Sequence, residues 1–120
     1  MSISIIGGSV SPSTALALNA QTGTTYTFVL TDANNTLVTA SNASAQTYTI
    51  PPNSSVAYPV GAQLNIIQIG AGQVSFAQGS GVTISSNAAT ATAPKLRVQY
   101  SSATAIKVAT DTWYVVGDIA

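Results

Sequence analysis

The sequence predicts an all-β fold: a single antiparallel β domain, built as a sandwich, a barrel or a short β-helix, behind an extended amino-terminal arm. Three observations carry that prediction. Apolar and polar residues alternate over short runs, which is the period of a half-buried strand. Clusters of Gly, Pro, Asn, Asp and Ser break those runs at roughly ten-residue intervals, as in small β domains. No apolar stripe with the helical period of about 3.6 residues is found anywhere in the chain. At 120 residues the chain is one domain by length, with a core of modest size. The expected division is an arm and first strand segment over residues 1–22, followed by a β domain over residues 23–120.

The arm opens with a β-like piece, Ser2 to Ile6, which Gly7-Gly8 and Pro12 interrupt. The run Ala15-Leu16-Ala17-Leu18 is too short for a helix and reads as a strand. From Thr24 to Leu30 the alternation of Tyr26, Phe28 and Leu30 marks a half-buried strand. Asp32-Ala33-Asn34-Asn35 is a turn, made of side chains that bond their own backbone and tolerate left-handed geometry. Leu37 to Ala40 and Tyr48 to Ile50 are the next strands, and Pro51-Pro52-Asn53 ends the second. Val56, Tyr58 and Val60 alternate as a short strand, with Pro59 marking an edge strand or the strand's end. Gln63 to Phe76 reads as the central hairpin, reversing at Gly70-Ala71-Gly72. Its first arm sets Leu64, Ile66 and Gln68 against Asn65, Ile67 and Ile69, so both faces carry apolar side chains. Beyond it, Val82 to Ile84, Leu96 to Tyr100, Ala105 to Val108 and Thr112 to Val116 complete the strands, the last two joined by a hairpin turn at Asp111. Leu96, Val98 and Tyr100 are expected on one face, and the small-residue stretch Ser85 to Pro94 as a loop. Thr25-Tyr26-Thr27 and Thr47-Tyr48-Thr49 echo each other, but the echo is too short to define a solenoid repeat.

Composition narrows the function. Only 5% of residues are charged, and the three basic and three acidic side chains cancel. Such a surface has little electrostatic protection against association, so self-assembly is expected. Three basic residues cannot build a phosphate-binding patch, which argues against nucleic acid. No apolar run approaches the roughly 18 residues of a membrane span, and the amino terminus lacks the basic and apolar regions of a signal peptide. The absence of cysteine suits a chain made in a reducing cytosol and held together by packing.

The usual chemistry of enzymes has few candidates here. There is no histidine, and Asp32 and Asp111 read as turn residues. A serine nucleophile would have only Lys95 or Lys107 as its base. Asp32-Ala33-Asn34 lacks the later glycine and glutamate of a calcium loop, and Gly70-Ala71-Gly72 precedes no helix that would cradle phosphate. No enzymatic activity, cofactor or metal is expected. Trp113 and Tyr114 are adjacent and point to opposite faces of their strand. Trp113 is expected in the core, with Tyr114 meeting solvent or a partner.

The stretch from Val38 to Ser55 (Val-Thr-Ala-Ser-Asn-Ala-Ser-Ala-Gln-Thr-Tyr-Thr-Ile-Pro-Pro-Asn-Ser-Ser) resembles a module of tailed-bacteriophage structural proteins. So do Val60 to Leu64, Gly70 to Val74, Gly79 to Ile84 and the closing Thr112 to Asp118, in the same order. The resemblance covers about residues 20 to 120 and implies a trimeric, non-enzymatic β module on the outside of a virion. The module occurs in capsid decoration (cement) proteins and at the ends of tail fibres. A chain of this size, with no shaft, fits decoration of an assembled head better than a fibre tip. The expected partners are the major capsid protein and further copies of the chain, which is made in the bacterial host cytoplasm and carried on the outer capsid surface. The arm residues Ser2, Ile3, Ile5, Ile6 and Val10 are the candidate capsid contacts, and Ile67, Ile69 and Tyr114 the candidate subunit contacts. The alternative is a receptor-binding module of a tail or fibre, reading host glycans through exposed aromatic, Asn and Gln side chains.

Overall fold

The computed structural model describes residues 15–120. The strands are β1 (Ala17–Gln21), β2 (Thr25–Thr27), β3 (Thr36–Ala40), β4 (Gln46–Ile50), β5 (Gln63–Gln68), β6 (Val74–Gln78), β7 (Thr83–Ser85), β8 (Ser102–Ala109) and β9 (Thr112–Gly117). The only helical element among the described residues is a 3-10 turn, Leu30–Ala33. They form a six-stranded sheet in the order β1-β3-β5-β8-β9-β7 and a three-stranded sheet in the order β2-β4-β6.

The all-β class is as expected, but the strand pairing is not. β1–β3, β3–β5, β2–β4, β4–β6 and β7–β9 are parallel, and only β5–β8 and β8–β9 are antiparallel. The chain coils: β1 leads to β2, β3 to β4 and β5 to β6, each pair laid over the one before. Of the expected architectures, this is the short β-helix. Within the large sheet β8 alone runs against its companions.

The stretch Gln63–Phe76 is therefore not a hairpin. β5 and β6 lie in different sheets, and Gly70-Ala71-Gly72 is the corner between them. That corner sits on the equivalent corner of the preceding turn of the coil. The Gly72 N–H donates to the Asn42 carbonyl at 2.8 Å, and the Ile69 N–H to the Ala40 carbonyl at 2.8 Å. A Cβ at Gly70 would overlap the Asn42 backbone, and one at Gly72 the Ser44 carbonyl. Glycine is needed here for close backbone approach, since neither residue has the positive φ of a hairpin turn.

Two buried glutamines stitch the corner. Gln68 accepts from the Val74 N–H at 3.0 Å and donates to the Gly70 carbonyl at 3.2 Å. Gln46 donates to the Gly72 carbonyl at 3.0 Å. Backbone groups that leave one sheet before entering the next need such partners, because an unpaired buried amide costs about as much as a lost hydrogen bond.

The core lies between the sheets. Val38, Ala40, Leu64, Ile66, Ile84, Ala105, Trp113 and Val115 come from the large sheet, and Tyr48, Ile50, Val74 and Phe76 from the small one. Parallel register stacks Tyr26 on Tyr48 and Tyr48 on Phe76, and Phe28 packs against all three. The Thr-Tyr-Thr echo is thus a true repeat, paired residue for residue.

Two expected strands do not form. Val56 to Val60 is a series of turns, in which Ser55 and Val56 donate back to Pro52 and Ala62 to Pro59. Leu96 to Tyr100 keeps only isolated bridges, Ser75 to Lys95 and Leu96 to Ile119. The chain then turns at Val98–Ser101, with Tyr100 at a left-handed φ of 71°. Leu96 is buried while Val98 and Tyr100 are exposed, so the three do not share a face. The Asp111 hairpin is present, with φ 55° at Asp111.

Candidate interaction surface

The two sheets turn different chemistry outwards. The outer face of the small sheet carries hydroxyls: Thr25 pairs with Thr47 and Thr47 with Ser75, Thr27 with Thr49. The outer face of the large sheet is uncharged and sets large apolar side chains among Ser, Thr, Asn and Gln. One cross-strand row runs Leu18, Leu37, Asn65, Thr104, Val116, and another Gln63, Ile106, Tyr114, Ser85. A third holds Ala20, Thr39, Ile67 and Ser102. Leu18 is 70% exposed, Val116 52% and Tyr114 51%. Side chains alternate across a strand, so the inward set fixes this outward one.

None of the six charged side chains lies on this face. Asp32 and Lys107 are buried. Arg97 and Asp118 hold each other in a two-pronged ion pair at 2.7 and 3.0 Å, with the Ser101 hydroxyl donating to the same carboxylate at 2.6 Å. The Arg97 bond, and then the Ser101 bond, keep the Asp118 carboxyl below the usual carboxylate range, and Asp118 in turn raises the guanidinium. Being exposed, this pair contributes little to stability. Asp111 accepts from the Asn53 N–H at 2.7 Å, and Lys95 is exposed on the segment beside β6.

The sequence-derived contacts divide three ways. Ser2, Ile3, Ile5, Ile6 and Val10 lie outside the described residues. Ile67 and Tyr114 share this outer face but not a neighbourhood. Tyr114 aligns with Ile106 and through it with Gln63, about 13 Å along β5 from Ile67. Ile69 lies beyond the end of β5, half-buried, its N–H given to Ala40 and its carbonyl accepting from Gln99. Trp113 is buried, as expected, and packs edge-on against Tyr58. Sequence reasoning missed Leu18, Leu37, Ile106 and Val116. For Leu37, Ile106 and Val116 the signal was available, because each stands on a strand whose other face carries the buried core residues; β1, with Asn19 and Gln21 on its other face, gave none for Leu18.

Two shallow concavities accompany the surface. One, of about 500 Å³, lies along β7 and β9 between Ser85, Asn87, Tyr114 and Val116. The other, of about 450 Å³, opens at the first turn of the coil beside Asn19, Tyr26 and Asp32. Asp32 is a turn residue, as expected, and it is also a buried hub. Its carboxylate accepts from Asn19 Nδ2 at 2.9 Å, the Tyr26 hydroxyl at 2.7 Å and the Val29 N–H at 2.9 Å. Burial first, and then the bond to Asp32, push the Tyr26 hydroxyl up to about 12. Among the described residues no group of three His, Cys, Asp or Glu side chains is placed to hold a metal ion. No helix among them is long and apolar enough to cross a membrane.

No family model, curated protein or solved structure matches this chain.

Proposed function

We propose that this chain is a structural virion protein, a head decoration protein that binds the outside of an assembled phage capsid as a homotrimer and stabilises it. The observation that carries this reading is the uncharged outer face of the six-stranded sheet, with Leu18, Tyr114 and Val116 exposed on it, joined to the resemblance of the Val38–Ser55 and Thr112–Asp118 motifs. A face without charge can meet copies of itself with no like charges opposed. Its adhesion is also insensitive to salt, unlike that of exposed ion pairs. The subunit contact uses this face through Ile67 and Tyr114, with Ile69 at its margin. The amino-terminal arm reaches the shell by adding an extended strand to a capsid subunit's sheet edge.

Sedimentation of Tyr114→Asp and Ile67→Asp tests the subunit contact. A carboxylate buried without a partner weakens association by about 3 kcal/mol, roughly a hundredfold, and shifts trimer to monomer. If both variants remain trimeric, the contact lies elsewhere. Deleting residues 2–12 should abolish capsid binding and leave the trimer intact. Placement is tested by counting and locating the protein on the virion. Many copies spread over the head support decoration, whereas a few copies confined to the tail favour glycan recognition at a fibre tip.

A further inference from the structure

Lys107 is buried, 3% exposed, on the inward face of β8. Its cross-strand neighbour is Trp113, and the Trp113 ring meets Tyr58 edge-on at 5.3 Å. The amine donates to the Tyr58 carbonyl at 2.7 Å and to Asn53 Oδ1 at 2.7 Å. Asn53 is in turn held in place, since its backbone N–H donates to Asp111 Oδ1 at 2.7 Å. An amine from the β8–β9 hairpin and a carboxamide from the crossover between β4 and β5 thus meet beside an aromatic pair, with the Asp111 carboxylate of the same hairpin holding the Asn53 backbone. Nitrogen in contact with a carboxamide oxygen is also close to the carbon that carries the oxygen. Fixed proximity of this kind replaces a bimolecular encounter with an intramolecular one, worth many powers of ten in rate.

We propose that Lys107 and Asn53 join in an intramolecular isopeptide bond. Nζ passes the proton it shares with Asn53 Oδ1 to that oxygen and adds the freed lone pair to Asn53 Cγ. A second proton moves from Nζ to Nδ2, and the tetrahedral carbon collapses and breaks its bond to Nδ2. The nitrogen departs as ammonia, takes up the proton held on the oxygen and leaves as ammonium. One C–N bond forms, one breaks, nothing is oxidised or reduced, and no co-reactant is consumed. Asp111 is a positioning residue, fixing the backbone of Asn53 and with it the carboxamide. The bond staples the crossover between β4 and β5 to the β8–β9 hairpin, bridging residues that are 54 positions apart. A link of that span restricts the unfolded chain, as a disulfide does, in a molecule without cysteine. This inference stands apart from the virion reading.

The test is the intact mass of the purified full chain under denaturing conditions, followed by a tryptic map. Trypsin has three basic positions to cut, Lys95, Arg97 and Lys107. The expected mass is lower than that of the sequence by one ammonia. In the map, cleavage after Lys107 is blocked, and residues 98–120 stay joined to residues 1–95 through Asn53. Lys107→Arg, which keeps the charge, and Asn53→Ala should each restore the full mass. A wild-type chain with its full mass, releasing residues 98–107 as a free peptide, overturns the proposal. So does an ammonia deficit that persists in Lys107→Arg, which would mark cyclisation at an asparagine instead. The wild-type map decides even if neither variant folds.

Discussion

Tyr48 is fully buried between Tyr26 and Phe28, and among the described residues its hydroxyl has no hydrogen-bond partner. A buried hydroxyl that has lost water and gained nothing is a net cost. Tyr48→Phe keeps the ring and removes the oxygen, and should raise stability by about 1 kcal/mol in denaturant unfolding. A loss of similar size would mean that the hydroxyl is bonded. At this scale the sequence was informative only where neighbours in the chain decide the outcome. Adjacent strand residues face opposite ways, so Trp113 inside and Tyr114 outside could be read directly. Asp32 and Lys107 could not be read as buried, because their partners are supplied by chain reversals that no local pattern announces. Asn53 meets Lys107 across 54 positions, and Asn19 meets Asp32 across 13.

At the scale of elements, the corners set the geometry. Gly70-Ala71-Gly72 lies so close on Asn42–Ser44 that one methyl group has nowhere to go. Gly72→Ala should cost roughly 3 kcal/mol, the upper end for overpacking a rigid site, and lower the midpoint of thermal unfolding. Ala71, exposed in the same corner, should accept Ser with little change, which separates close approach from general intolerance of the loop. Most strands were legible as strands because period-two alternation and turn residues are local signals. Their direction was not. The same alternation serves parallel and antiparallel partners, and a glycine-rich reversal reads alike as a hairpin turn or as a corner between sheets. The Thr-Tyr-Thr echo was the one clue to parallel stacking, since equal residues in register are what a coil produces.

For the whole molecule, stability rests largely on buried aromatic rings, and the exposed ion pair adds little. Burial pushes the Tyr48 hydroxyl up to about 12, as it does for Tyr26, and raises Tyr58 further. In the unfolded chain these hydroxyls ionise near 10. The folded state therefore keeps protons that the unfolded state releases, and the associated stability is intact below about pH 10. It is lost as the pH climbs through 10 towards 12. Thermal melts should hold level from neutrality to about pH 10 and then fall, with a smaller fall in Tyr48→Phe. Salt should have little effect on the same melts, because the one ion pair among the described residues is exposed. The candidate surface was half legible in the same sense. Low charge foretold an exterior with few charged groups, but only the sheet order shows that Leu18, Leu37, Ile106, Tyr114 and Val116 share a single face.

The sheet order also has a consequence for how the protein is made. β7 precedes β8 and β9 in the chain, yet both of them lie between it and β5 in the finished sheet. As the chain emerges from the ribosome, β5 and β7 wait with open edges for a hairpin not yet synthesised. Open strand edges recruit other chains. Where many copies are translated together, the interval before Ser102–Gly117 appears is therefore the one in which neighbouring nascent chains are most exposed to each other.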